Sequence, residues 1–174
     1  MVKRAKGHMI EVDKLSRRYK VKPMNEADVD SILELCQGNP QFYRYTEAVP
    51  SREQVISDMK NTPNGVDGSK KYYVGFYKRL ELIAVMDIID GFPTNENAYI
   101  GFFMMKEQYQ GKKIGSIIVH EVESYLRSVG KRTTRLAIDK LNPQSTYFWD
   151  KNGYIVFREV DRNGWPILEA EKIL

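Results

Sequence analysis

Between Asn97 and Val129 a β-favouring segment runs through a loop of glycines and lysines into a strongly periodic helix, and this junction restricts the fold more than any other stretch. Asn97 to Met105 is rich in Tyr, Ile, Phe and Met and predicts a strand. Ile114, Ile117, Ile118, Val122, Tyr125, Leu126 and Val129 recur every three or four residues, which predicts a helix over Gly115 to Val129 with Gly130 as its stop. Between the two lies Gln110-Gly111-Lys112-Lys113-Ile114-Gly115-Ser116. Glycines let a ligand approach the backbone, a helix start offers unpaired amides and a positive dipole end, and the lysines add charge. A pyrophosphate fits such a junction; a glycine turn with solvated lysines is the plainer reading. The loop lacks the closing GK[ST] of a phosphate-binding P-loop and the glycine spacing of the GxGxxG dinucleotide fingerprint.

The remaining elements alternate in type. Arg18 to Lys22 predicts a short strand, and Asn25 caps a helix to Cys36 whose apolar positions are Val29, Ile32, Leu33 and Cys36. Gln41 to Pro50 reads as a loop or irregular helix, and Ser51 to Gln54 as a capping box opening a helix to about Lys60. Lys71 to Tyr77 and Glu81 to Ile89 are strands, as is Arg132 to Ile138. Pro143 to Lys151 is a helix with proline at its start and Gly153 beyond its end. Tyr154 to Val160 and Ile167 to Ile173 are the last strands, joined through Asn163-Gly164. The order βααβββαβαββ predicts an α/β fold with a mixed, mostly antiparallel central sheet flanked by helices.

A chain of 174 residues with 42% hydrophobic and 29% charged residues suits one packed domain, here Leu15 to Leu174, preceded by a charged arm over Met1 to Lys14. The longest apolar run, Leu82 to Met86, is too short for a membrane span, and the N-terminus lacks an apolar block, so the cytoplasm is expected, with no membrane partner. Cys36 alone forms no internal disulfide, and His8 and His120 lack zinc spacing, so no metal is expected. Cys36 reads as core and His120 as helix surface. The net charge, 27 − 23 = +4, suits a nucleic-acid binder or an enzyme for an anionic cofactor.

Two segments carry a resemblance to a known family. Gln110 to Ser116 resembles the Q/R-x-x-G-x-G/A acyl-CoA pyrophosphate loop of the GNAT N-acetyltransferase superfamily. Gln110 and Gly115 match its fixed positions, while Lys113 replaces its first glycine, a substitution the backbone tolerates if φ is negative. Asn142 to Tyr154 resembles the family's N-x-x-A-x-x-[FL]-[YW]-x-K-x-G-[FY], with the same spacing throughout. The order of elements from Arg18 to the C-terminus matches as well.

The resemblance implies acetyl-CoA as cofactor and acetyl transfer to a primary amine of a small molecule or peptide by direct attack. It implies a fourth strand, Asn97 to Met105, splayed from the fifth, Arg132 to Ile138. Backbone amides near Met104 and Met105 would then bind pantetheine, with Met105 polarising the thioester carbonyl. Gln110, Gly111, Lys112, Lys113, Ile114, Gly115 and Ser116 would hold the pyrophosphate, and Asn142, Ser145, Phe148, Trp149 and Lys151 the rest of the cofactor. The fourth strand, with Ile100, Gly101, Phe102 and Phe103, offers no acid where many relatives carry a glutamate. Asp87, embedded in Val85-Met86-Asp87-Ile88-Ile89, is therefore the favoured base, with Asp90 and Glu96 as rivals. Tyr43, Tyr45 and Asp90 are expected to contact the acceptor. Trp149 stands where relatives often have an acidic tyrosine, so water or Tyr147 would protonate the leaving thiolate if protonation is needed; Tyr147 is expected to point elsewhere. A noncatalytic acyl-CoA binder of the same fold is the alternative, and an RNA-binding module a weaker one, so no nucleic-acid partner is expected. The protein is expected to be a monomer or homodimer.

Overall fold

The computed structural model describes residues 9–46 and 49–174. Seven strands, β1 (Lys20–Pro23), β2 (Lys71–Lys78), β3 (Glu81–Asp90), β4 (Asn97–Met105), β5 (Thr133–Asp139), β6 (Ile155–Arg162) and β7 (Trp165–Ile173), form one sheet in the order β1-β2-β3-β4-β5-β7-β6. Only β4 and β5 pair in parallel, and a parallel neighbour requires a crossover, supplied here by helix α4 (Ile114–Ser128). The other helices are α1 (Val29–Gln37), α2 (Pro40–Tyr43), α3 (Arg52–Lys60) and α5 (Pro143–Lys151). None among the described residues is long and apolar enough to cross a membrane.

The sheet is covered by separate hydrophobic clusters. Met86 and Ile88 of β3 pack with Ile118, Val122 and Leu126 of α4, whereas Val85 packs with Val29, Ile32 and Leu35 of α1 and Val55 of α3. The alternation along β3 is the two-residue strand period, and it assigns Asp87 to the α1 and α3 side.

Local chemistry explains where the elements begin. Asn25 Oδ1 accepts from the Ala27 amide at 2.8 Å and Asp28 Oδ2 from the Asn25 amide at 2.9 Å, a reciprocal box that opens a 3-10 turn leading into α1. At α3 only half of the expected box forms: Ser51 Oγ accepts from the Gln54 amide at 3.1 Å, while the Gln54 side chain donates to Asp58. β1 starts two residues later than the sequence suggests, because Ser16 Oγ takes the Arg18 and Tyr19 amides into a turn. The arm expected over Met1 to Lys14 is packed from Ile10 onward, with Ile10 only 5% exposed in the main core; Met1 to His8 lie outside the described residues.

Two irregularities in β4 open a gap in the sheet. Its pairing with β5 runs from Asn97↔Thr133 to Ile100↔Leu136 and stops, so the strands diverge beyond Ile100 as a V. Against β3 the register slips between Asp87↔Phe102 and Ile88↔Ile100, which makes Gly101 the extra residue of a β-bulge at the apex of that V.

Candidate active site

The open arm of the V is a cleft of about 280 Å³ between the end of β4, the loop before α4, and α5. Its wall includes Met104, Met105, Gln110, Gly111, Lys113, Gly115, Ser116, Ser145, Phe148, Trp149 and Lys151, so most of the residues expected at the cofactor converge there. Lys112, Ile114 and Asn142 do not line it. Lys112 is exposed and Ile114 packs against the main core. Asn142 is a buried helix cap whose Oδ1 accepts from the Ser145 amide at 3.1 Å.

Strand alternation decides which amides can serve the cleft. The Lys106 amide donates to the Ile83 carbonyl of β3 at 2.8 Å. Counting back by twos, Met104 also directs its N–H at β3, and Phe103 and Met105 direct theirs into the V. The Met105 N–H thus lies on the V edge together with that of Phe103, whereas the Met104 N–H, expected there as well, does not. The Met105 carbonyl, on the same edge, accepts from Asn39 Nδ2 and Gln110 Nε2, both at 3.0 Å, which ties the start of α2, β4 and the loop together.

The loop fits the diphosphate end of a CoA. Gly111 has φ +70°, and Ser116 Oγ is buried in the cleft wall without a hydrogen-bond partner. At Gly115 a Cβ would come within 3.2 Å of Phe148 Cε2 and 3.3 Å of Met105 Sδ, so any larger residue there would have to displace its neighbours. Lys113 departs from the sequence expectation: its φ is +63°, the left-handed conformation that its family counterpart, glycine, adopts without cost.

Trp149 is fixed from behind. Its ring meets Tyr154 edge-on at 5.0 Å, and the buried Tyr154 hydroxyl bonds Thr134 Oγ1 at 2.8 Å and Glu123 Oε1 at 2.9 Å. Burial and the neighbouring Glu123 push the Tyr154 phenol well above its ordinary value, so it stays a neutral donor. Tyr147, contrary to expectation, lines the cleft and is 68% exposed, with the Lys151 ammonium 5.8 Å from its ring centre.

At the apex Asp87 is 8% exposed. Its Oδ2 accepts from Lys71 Nζ at 2.8 Å, and its Oδ1 is buried without a hydrogen-bond partner. Burial pushes its carboxyl up to about 6, against the pull of Lys71 toward the charged form. The rivals lie elsewhere. Asp90 pairs with Ala98 in register at the closed end of the V, in ion pairs with Lys70 and Lys131, and Glu96 meets Arg132 at the same end. Asp90 is therefore remote from the apex both as a base and as an acceptor contact. Tyr45 sits in the turn after α2 and lines no part of the cleft; Tyr43 packs edge-on with Phe42 at 5.1 Å, and burial pushes its phenol well above its ordinary value. Phe42, Asn39, Phe103 and Gln144 complete the wall; nothing local in the sequence marks Asn39, Phe103 or Gln144 as cleft residues. Cys36 is buried and His120 exposed, as expected.

A strand that parts from its parallel neighbour beside a glycine-rich helix start defines an acyl-CoA-binding acetyltransferase fold. The match to a family model described as the acetyltransferase (GNAT) family, over residues 33–154, shows that the chain belongs to that family, whose cofactor is acetyl-CoA. Among solved structures it is similar to an acetyltransferase from Thermus thermophilus, at 18% identity and TM-score 0.72, covering 90% of this chain and 97% of that one. It is also similar to the PaiA N-acetyltransferase from Thermoplasma acidophilum in complex with coenzyme A, at 18% identity, TM-score 0.63 and coverage of 87% and 97%. A spermidine N-acetyltransferase chimera from Vibrio cholerae aligns at 13% identity and TM-score 0.66, covering 90% and 95%. No curated protein matches in a sequence comparison.

Proposed function

We propose that the protein transfers the acetyl group of acetyl-CoA to a primary amine by direct attack within the V, as a cytoplasmic enzyme. Acetyl-CoA supplies the acetyl group activated as a thioester. The observation that carries the reading is the placement of a buried, partly unpartnered carboxylate, Asp87, at the point where β4 leaves β5. Amides of the loop and Ser116 hold the diphosphate, and Ser145, Phe148 and Trp149 of α5 form the wall along the pantetheine. The Phe103 and Met105 N–H groups polarise the thioester carbonyl, as fixed backbone donors do well. An amine of pKa near 10 arrives protonated at neutral pH and must lose a proton before it attacks. Asp87 takes that proton, directly or through water; the C–N bond then forms as the C–S bond breaks. A thiol pKa near 8.5 makes the thiolate a competent leaving group. Trp149 offers no acidic proton there, and the Tyr147 hydroxyl or water is the available donor.

Thiol release from acetyl-CoA across a panel of primary amines, together with calorimetry of CoA, tests the reading. Turnover with at least one amine is the expected result. CoA binding without turnover on any amine would instead make the chain an acyl-CoA sensor, and absence of CoA binding would overturn both.

A further inference from the structure

Asn39 stands where a helix cap is expected and its side chain is used elsewhere. It precedes Pro40 at the start of α2, a position from which asparagine usually accepts an amide of the first turn, yet it makes no such cap. The residue is buried, 7% exposed, and its side chain reaches β4. Nδ2 donates to the Leu35 carbonyl at 2.9 Å and to the Met105 carbonyl at 3.0 Å, and Oδ1 accepts from Gln110 Nε2 at 2.5 Å. Gln110 Nε2 also donates to the Met105 carbonyl at 3.0 Å, and Gln110 Oε1 accepts from Gln144 Nε2 of α5 at 3.2 Å. Both N–H donors of each amide, Asn39 and Gln110, are engaged. Neither amide can turn over without setting its oxygen against the Met105 carbonyl.

The effect falls on Met105. A carbonyl oxygen has two lone pairs, and Asn39 and Gln110 fill both. The peptide group that follows Met105 is held at its other end as well, by the Lys106 amide donating to Ile83 at 2.8 Å. In an extended strand the N–H and C=O of one residue point to the same edge, so this carbonyl lies beside the N–H that faces the V. Left bare, its partial negative charge would oppose an oxyanion forming at that N–H. Two amide donors offset that charge in a fixed geometry.

Resting on the transferase reading above, we propose that Asn39 is a positioning residue for acetyl transfer. Together with Gln110 it locks and neutralises the Met105 carbonyl, so that Met105 presents only its N–H to the thioester oxygen. Asn39 acts through the β4 backbone and touches no reacting atom. The thioester oxygen gains charge on the way to the transition state, so the contribution of Asn39 is larger to kcat than to acetyl-CoA affinity.

The test is difference infrared spectroscopy of acetyl-CoA, isotopically labelled at the acetyl carbonyl and bound to the full chain, so that no acceptor is needed. The carbonyl stretch should lie lower in the wild-type complex than in free acetyl-CoA. In Asn39→Ala, and in Asn39→Leu, which keeps the volume, the band should return at least half of the way to the free value. Acetyl-CoA affinity by calorimetry should stay near wild type, which also reports that the variants are folded. With the best amine of the panel, kcat should fall by about tenfold at unchanged KM for acetyl-CoA, less than the roughly 10²–10³-fold loss on deleting an oxyanion donor outright. A full wild-type shift or wild-type kcat in a variant that binds acetyl-CoA overturns the proposal. Loss of acetyl-CoA binding in both variants overturns it too, because Asn39 would then support the cofactor loop alone. An unshifted band in the wild-type complex brings down the polarising role of Phe103 and Met105, and failure of acetyl-CoA to bind the wild-type chain brings down the transferase reading itself.

Discussion

Asp87 is the residue whose chemistry is most open to measurement. Its carboxylate is the basic form, and burial raises its pKa, so the ionised fraction grows as pH climbs through about 6. The apparent kcat/KM should rise through that pH and level off above it. Asp87→Asn keeps the size and removes the basicity: turnover should fall by about 10²-fold or more and the inflection should vanish, with CoA affinity unchanged by calorimetry. Wild-type turnover across the pH range in the Asn variant would exclude Asp87 as the base. Lys113 offers a second residue-scale test. Holding a non-glycine residue in the left-handed conformation costs about 1–2 kcal/mol. Since Lys113 is exposed, Lys113→Gly should raise Tm by roughly 2–4 °C per kcal/mol recovered in a chain of this size, without CoA present. An unchanged or lowered Tm would show that relieving the left-handed backbone gains the free protein nothing. Sequence could name the odd residue in this loop but not its φ, because a local pattern does not reveal which conformation the surrounding turn imposes.

At the scale of elements, β4 and α5 have the bounds that the sequence predicts, Asn97–Met105 and Pro143–Lys151. Both are delimited by strong local chemistry: an apolar, aromatic-rich run in one, and an Asn-Pro start with a following glycine in the other. The features that were not legible depend on partners distant in sequence. The bulge at Gly101 exists only against β3, and the remoteness of Asp90 comes from strand register that no single strand encodes. The same distinction divides the roles of α5. Phe148 and Trp149 face the cleft, while Asn142 caps the helix from behind. Asn142→Ala should therefore cost about 1 kcal/mol of stability through the lost cap, seen as a lower Tm, without a matching loss of CoA affinity. A large drop in affinity at unchanged Tm would return Asn142 to the cofactor site.

The whole molecule distributes its stability unevenly, and the site sits between the extremes. Every residue of β3 from Ile83 to Asp90 is buried, with a strand on either side. β6 is an edge strand with nearly all of its residues exposed, including Ile155, Val156 and Phe157. Local opening is easiest where few apolar contacts hold a strand, so amide exchange should be fastest in β6 among β2 to β7 and slowest in β3. A ligand adds protection only to amides whose exposure requires its release. The end of β4, the loop Gln110 to Ser116 and α5 surround the cleft, and opening any of them would disturb a bound CoA. At a hundredfold excess over Kd these amides should exchange up to about 100-fold more slowly, the limit set by roughly 2.7 kcal/mol of linkage. β6 touches the cleft nowhere and frays independently, so its rates should stay as they are. Comparable slowing in β6 and α5 would mean that the sheet opens as one unit and that CoA couples to the whole of it; slowing in neither the loop nor α5 would place CoA outside the V.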